Sequence, residues 1–286
     1  MKPMMRKRIS VSEAKKRLRV NIPLLLVLIP VAFAVLVPFL WMVTAALKPR
    51  GLIGEPPYLF PKYFEFTNFV VAWKAAPFIR YYANTTIVAI AVVFFRVVFA
   101  SMAAFAFSVL KFRGRDLVFL VFLGTMMIPS HATLIPSYMI IINLKWLNTY
   151  QALIVPRMVD AFSIFLLRQM FISIPQDYLD AAKLDGCSNW KLLWKIIVPM
   201  SRSSLVAMSL FSFLFIWNDF LWPLLVANDK NMRTIQVGLQ AFSGQYLTEW
   251  SFMMAGTMTA IIVPIILFVI AQKQFVSGLS HSGLKG

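Results

Sequence analysis

The sequence predicts an all-α, polytopic membrane protein with six transmembrane helices, and three observations predict it. Hydrophobic residues make up 60% of the 286 and mean hydropathy is +0.75, well above the roughly 45–50% apolar usage of soluble domains. Apolar runs long enough to cross a hydrocarbon core of about 30 Å recur along the chain. The segments between them are short, polar and unequal in charge, with Lys and Arg concentrated on the side that holds the N-terminus. A net charge of +17 raises nucleic acid as a partner, but the basic residues are dispersed at the ends of apolar runs and form no single patch. They set orientation instead, placing the N-terminus in the cytoplasm by the positive-inside rule.

Residues 1–20 are rich in Lys and Arg, with Glu13 their single acid, and read as a basic cytoplasmic tail. Residues 21–80 hold the first span and an external loop. The run from Ile22 to Ala46 is too long for the roughly 7–15-residue core of a signal peptide, so it predicts an uncleaved span. Pro23, Pro30 and Pro38 within it are tolerated where neighbouring helices re-satisfy the freed carbonyls. Beyond Lys48, Pro56, Pro57 and Pro61 predict an irregular loop, and Thr67 is placed to cap a short surface helix through Lys74.

Residues 81–272 predict the core membrane domain. Span two, about Tyr82 to Leu110, carries Arg96 near its middle. A central Arg costs about 2.5–3.5 kcal/mol on insertion scales, which the surrounding Leu, Ile, Val and Phe outweigh. Arg96 then either lines a pathway, pairs across subunits, or faces the interior bonded to carbonyls. Lys111, Arg113 and Arg115 make a cytoplasmic turn around Gly114. Span three, about Leu117 to Ile142, is punctuated by Pro129 and Pro136, with His131 at the break between them. Span four, about Gln151 to Ile174, has Arg157 and Asp160 three residues apart near its outer end, a spacing that predicts a local ion pair, with a substrate role as the alternative. Span five runs from about Met200 to Ala227 and span six from about Ser251 to Ala271. The tail at 273–286 reads as cytoplasmic and extended.

Between spans four and five lies a mostly polar segment, residues 175–199, which hydrocarbon cannot accept. Pro175 suits a first helical turn, Asp177 an N-cap and Asp180 a capping box, giving a helix from about Gln176 to Leu184. Gly186 stands where a left-handed C-cap belongs. Ser188 is placed to cap a second helix whose Trp190, Leu193, Trp194 and Ile197 recur at helical spacing.

Three motifs in this order carry a family resemblance. Asp180-Ala181-Ala182, three residues, Gly186, nine residues and Ile196-x-Val198-Pro199 resemble the E-A-A-x3-G-x9-I-x-L-P loop of ABC importer permeases, with Asp for Glu and Val for Leu. Trp217-Asn218-Asp219-Phe220-Leu221-Trp222-Pro223 resembles the W-N-[ED]-F-x-x-P signature of carbohydrate-class permeases. The ending QKQFVSGLSHSGLKG is similar to that of the maltose-type second permease subunit. FTNFVVAW near residue 66 is a softer likeness to the entry of that family's membrane domain.

The resemblance covers about residues 22 to 286 and implies a type I ABC importer permease in a bacterial or archaeal cytoplasmic membrane, both termini inside. It implies that Asp180, Ala181, Ala182, Asp185, Gly186 and Pro199 couple to an ATPase, and that Gly278, Leu279, Gly283 and Lys285 of the tail lie against it. Trp217, Asn218, Asp219 and Phe220 become candidates for the substrate path. They are candidates on chemistry alone too, because sugars stack on aromatic faces and bond to polar side chains. The implied partners are a second permease subunit, two ATP-binding subunits, an extracytoplasmic solute-binding protein and membrane lipid, with no nucleic acid.

This chain itself is expected to carry no cofactor and no hydrolytic activity, since G-x4-G-K-[ST] occurs nowhere in it; ATP and Mg belong to the partner ATPase. One cysteine, Cys187, and two histidines give little support for a metal site. An ion-coupled secondary transporter using Arg96, Arg157, Asp160 and Asp219 is the competing class. Such carriers place coupling charges near the bilayer midplane, where only Arg96 is expected.

Overall fold

The computed structural model describes residues 11–56, 60–243 and 249–282. The long first run forms α1, Val11–Ala46, whose stretch Leu24–Ala46 is unbroken and leaves its apolar side chains uncovered along most of its length. Its C-terminal end is held by Asn68, a buried side chain whose amide donates to the carbonyls of Ala46 and Lys48 at 2.8 Å each. This supplies a partner to one carbonyl that the helix end leaves free and to another just beyond it. Asn68 lies in α2, Thr67–Ala75, which starts without a side-chain cap. Thr67 is the first helical residue and its hydroxyl bonds Glu65 instead, so the predicted cap does not form.

The central element is α3, Phe78–Ser108, a 31-residue span packed on both sides. At one end Asn84 donates to the carbonyls of Asn231 (2.7 Å) and Arg233 (3.0 Å) and accepts from the Tyr150 hydroxyl at 2.7 Å. At the other end the carbonyl of Phe107 accepts from Arg168, whose guanidinium also reaches Asp116 at 3.4 Å. The loops expected outside and those expected inside therefore collect at the two ends of α3, as alternating crossings require.

Span three is two helices, α4, Arg115–Gly124, and α5, Leu134–Asn143, joined through a 3-10 turn at Thr125–Met127 and an irregular stretch containing His131. Span four is also broken: α6, Tyr150–Ile154, continues as a 3-10 turn at Val155–Arg157, and α7, Ala161–Ile172, leaves it at 43°. The polar loop gives α8, Gln176–Leu184, then α9, Asn189–Lys191, a π-helical turn at Leu192–Ile197 and α10, Val198–Met200. An 82° bend leads into α11, Arg202–Trp217. Span five was expected to run to Ala227, but it stops at Trp217 and resumes as the short α12, Leu221–Val226. Proline at 223 removes a backbone donor, and Asn218 to Phe220 fill the break.

The external segment before the last span contains a short element, α13, Ile235–Leu239, buried against α3. Five residues are too few to show a helical period. Gly238 lets it approach: a Cβ there would lie 2.2 Å from Cδ2 of Tyr81. The last helix, α14, Trp250–Ser282, runs through Gly278 and Leu279, where an extended tail was expected. Adding residues to an existing helix gains a hydrogen bond for each one fixed, which outweighs a single glycine costing about 1 kcal/mol. Gly283 and Lys285 lie outside the described residues. Among the described residues three helices are long and apolar enough to cross a membrane unbroken, the bent pairs of spans four and five bring the number to five, and span three, expected as one crossing, lies in the two shorter helices α4 and α5.

Candidate functional site

The breaks in spans three, four and five meet. Between them lies a cavity of about 310 Å³ lined by Ser130, His131, Thr133 and Ser137 from the first, Pro156 and Arg157 from the second, and Asp219, Leu221 and Trp222 from the third, with Phe215 beside them. Interrupted helices make such a place because residues at a break turn polar side chains and free backbone groups to one point, which hydrocarbon forbids unless protein or water covers them.

Two ion pairs sit at this junction, and they cross. Arg157 was expected to pair with Asp160. Instead its Nη2 lies 2.9 Å from Oδ2 of Asp219, while Asp160 Oδ2 lies 3.2 Å from Nε of Arg96. The break explains the exchange. Asp160 is in extended backbone as N-cap of α7, with Oδ1 accepting the Ser163 amide at 2.8 Å and Oδ2 its hydroxyl at 2.7 Å, while Arg157 ends the preceding turn. The i, i+3 neighbours of a continuous helix are thus turned apart.

Arg96 is buried, 6% exposed, and takes the interior reading: its Nε donates to the carbonyl of Arg157 at 2.7 Å, and Nη1 reaches Ser212 Oγ at 3.5 Å. Both guanidiniums lie against the ring of Phe215, at 5.5 and 5.6 Å from its centroid, and Arg157 also against Trp222 at 5.7 Å. Such cation–π contacts strengthen where water is excluded.

Of the four residues proposed for the substrate path, the structure brings one to this cavity. Asp219 lines it and also accepts from the Trp222 amide at 3.4 Å. Trp217 is buried at 1% exposure, stacked on Phe213, with its indole N–H on the carbonyl of Ala260 at 3.1 Å. Asn218 bonds the carbonyl of Leu214 and accepts from Gln236, and Phe220 is exposed outside the lining. Trp222 was passed over in the candidate set, yet it lines the cavity and donates to the carbonyl of Ala152 at 2.9 Å. Ser130, Thr133 and Ser137 were missed as well. Their signal was polar residues around Pro129 and Pro136 inside an apolar run.

The second candidate site is the polar loop. Helix α8 ends in a Schellman motif: Gly186 at φ +73° donates to the carbonyl of Lys183, and Cys187 to that of Ala182, each at 3.0 Å. The predicted start differs. Pro175 is the N-cap, with no side-chain cap, and Asp180 accepts from Gln176 at 3.3 Å and lies 3.8 Å from Lys183. The capping box fails because the helix begins one residue before Asp177, which leaves Asp177 inside the first turn.

Ser188 does cap α9, accepting from the Lys191 amide at 3.4 Å. The following π-helical turn rotates the apolar face, so Leu192, Leu193 and Ile197 are buried, Trp194 is half-buried and Trp190 is exposed. An α-helical period placed Trp190 inward; one extra residue per turn moves it out. Leu179 and Ala182 anchor α8 to the membrane domain, while Asp180, Ala181, Asp185 and Gly186 face outward beside Tyr178 and Leu184, the last 89% exposed. Pro199 is exposed at the bend. Among the described residues no group of His, Cys, Asp and Glu could hold a metal ion.

Known proteins resemble the chain along nearly its whole length. The arabinooligosaccharides transport system permease protein AraQ of Halalkalibacterium halodurans is 32% identical over 260 residues, 90% of this chain and 93% of that protein. The sn-glycerol-3-phosphate transport system permease protein UgpE of Shigella flexneri is 31% identical over 248 residues, 84% of this chain and 88% of its own. A crystal structure of a bacterial ABC transporter involved in the import of the acidic polysaccharide alginate contains a chain of the same fold, with a TM-score of 0.77 at 22% identity, covering 92% of this chain and 98% of that one. The family model for the binding-protein-dependent transport system inner membrane component matches residues 96–281, more than half of the chain, and the chain belongs to that family.

Proposed function

We propose that this chain is the permease subunit of an ATP-driven importer that carries a sugar or sugar derivative into the cytoplasm. It works with a second permease subunit, two ATP-binding subunits that hold ATP and Mg, and an extracytoplasmic solute-binding protein. The observation that carries the reading is the outward face of α8. A helix held along one face by Leu179 and Ala182 and stopped by the Gly186 turn presents exposed Tyr178, Asp180, Leu184 and Asp185, which no other described residue covers. An apolar and acidic knob on a rigid base suits a cleft in a partner through which force passes.

A second permease subunit is supported by the broken face of spans three to five. Ser130 and His131 are exposed there, at a chain break in the middle of a span, and lipid cannot cover irregular backbone. The ion-coupled carrier finds no support in the family, and its four charges are committed to two internal pairs. In this reading both termini belong to the cytoplasm, as does α8.

Affinity purification of the tagged chain from membranes tests the reading. A stoichiometric ATPase whose hydrolysis rises with loaded binding protein is the expected result. A chain that transports alone in liposomes would overturn it.

A further inference from the structure

Resting on the permease reading, we propose that the cavity at the three breaks is a solute subsite selective for neutral, hydroxyl-rich ligands, and that it disfavours anionic sugars such as phosphates and uronates. The relatives leave this open, since they name a neutral oligosaccharide, a phosphate ester and an acidic polysaccharide.

About 310 Å³ is at the lower end of small-molecule sites, which run about 300–1,000 Å³, so the cavity holds one end of a ligand. Ser130, Thr133, Ser137 and His131 offer hydroxyls and an imidazole, and Phe215 and Trp222 offer ring faces. That mixture suits a sugar ring.

Charge decides the class. An anion needs positive charge in excess, and the junction has none: Arg157 is balanced by Asp219 at 2.9 Å and Arg96 by Asp160 at 3.2 Å, although Nε of Arg157 is buried with no hydrogen-bond partner among the described residues. A phosphate or carboxylate on that Nε would bring a second anion beside the Asp219 carboxylate, whose side chain is 12% exposed. Two anions that share one poorly solvated cation repel each other with little screening. A neutral hydroxyl brings no such repulsion. It can donate to a carboxylate oxygen of Asp219 and accept from a guanidinium N–H of Arg157 at once, bridging the pair.

Cysteine in place of Ser137, a near-isosteric change in the lining, gives a direct test in the complete importer. Alkylation at position 137 by a small uncharged thiol reagent is followed by peptide mass spectrometry, which separates it from Cys187. Arabinotriose, maltotriose and sorbitol serve as neutral probes, sn-glycerol-3-phosphate and triguluronate as anions. At least one neutral probe is expected to slow alkylation several-fold while both anions change it little.

In the same background, Asp219→Asn frees Arg157 and should make the anions protective. Adding Arg157→Gln should abolish that gain, which separates a charge effect from misfolding. Protection by an anion equal to or greater than that by every neutral probe, with Asp219 intact, would overturn the proposal, as would protection by none of the probes. If protection is absent while ATP-driven uptake persists, the subsite falls and the permease reading stands. Protection in a chain that recruits no ATPase would have the reverse meaning.

Discussion

Arg157 pairs with Asp219, 62 positions further along the chain, at 2.9 Å, and leaves Asp160 to Arg96. The two pairs tie spans two, four and five together at the depth where spans four and five are broken. Double-mutant cycles distinguish this arrangement from a local pair. Neutralising 157 with 219, or 96 with 160, should give coupling energies of about 1–3 kcal/mol, while 157 with 160 should be additive within about 0.5 kcal/mol. Thermal unfolding of the purified complex in detergent reads the difference. Strong coupling between 157 and 160 alone would restore the local pair.

Removing one partner should be worse than removing both. Asp219→Asn strands the Arg157 charge, and breaking a buried pair costs about 3–5 kcal/mol, whereas a matched neutral pair is often tolerated. The abundance of folded chain in membranes should therefore rank Arg157→Gln/Asp219→Asn above either single variant. A double variant no better than the worse single one contradicts the pairing.

Gly186 sits at φ +73°, and a Cβ there meets nothing within 4 Å. Substitution costs backbone strain and no clash. Gly186→Val should add about 1–2 kcal/mol or more at this turn and tilt α9, while Gly186→Asn, which tolerates the left-handed region, should be mild. With the permease reading, Val should depress stimulated ATP hydrolysis and uptake more than assembly. Equal activity of both variants would mean that the turn transmits nothing.

At Gly238 the constraint is the reverse, contact without strain. Gly238→Ala puts a methyl 2.2 Å from the Tyr81 ring, and overpacking of this kind costs about 1–3 kcal/mol. The variant should lower the melting temperature of the complex, and Tyr81→Leu in the same chain should recover part of the loss. Unchanged stability of Gly238→Ala would show that α13 has room to move.

Cysteine at the exposed Lys230 should react with an impermeant thiol reagent from outside intact cells, and Cys187 only after permeabilisation. The opposite pattern would invert the proposed orientation.

Long apolar runs, a polar knob between two of them and the glycine at its turn were readable from the order of residues alone. These follow from local physics: hydrocarbon selects long apolar runs, and a left-handed C-cap selects glycine, so Gly186 and the runs around Arg96 and Ile262 were legible one segment at a time. The pairing of charges was not. Arg157 and Asp160 at i, i+3 read as partners only while the helix between them is continuous, and whether it continues depends on neighbours that replace its lost hydrogen bonds. The same holds for Trp217, which a motif placed toward solute and packing turned inward onto Phe213 and Ala260, and for Trp190, which a π-helical turn moved to the surface. Where three helices break at one place, the direction of each side chain is set by the other two, and that information exists only in the tertiary structure.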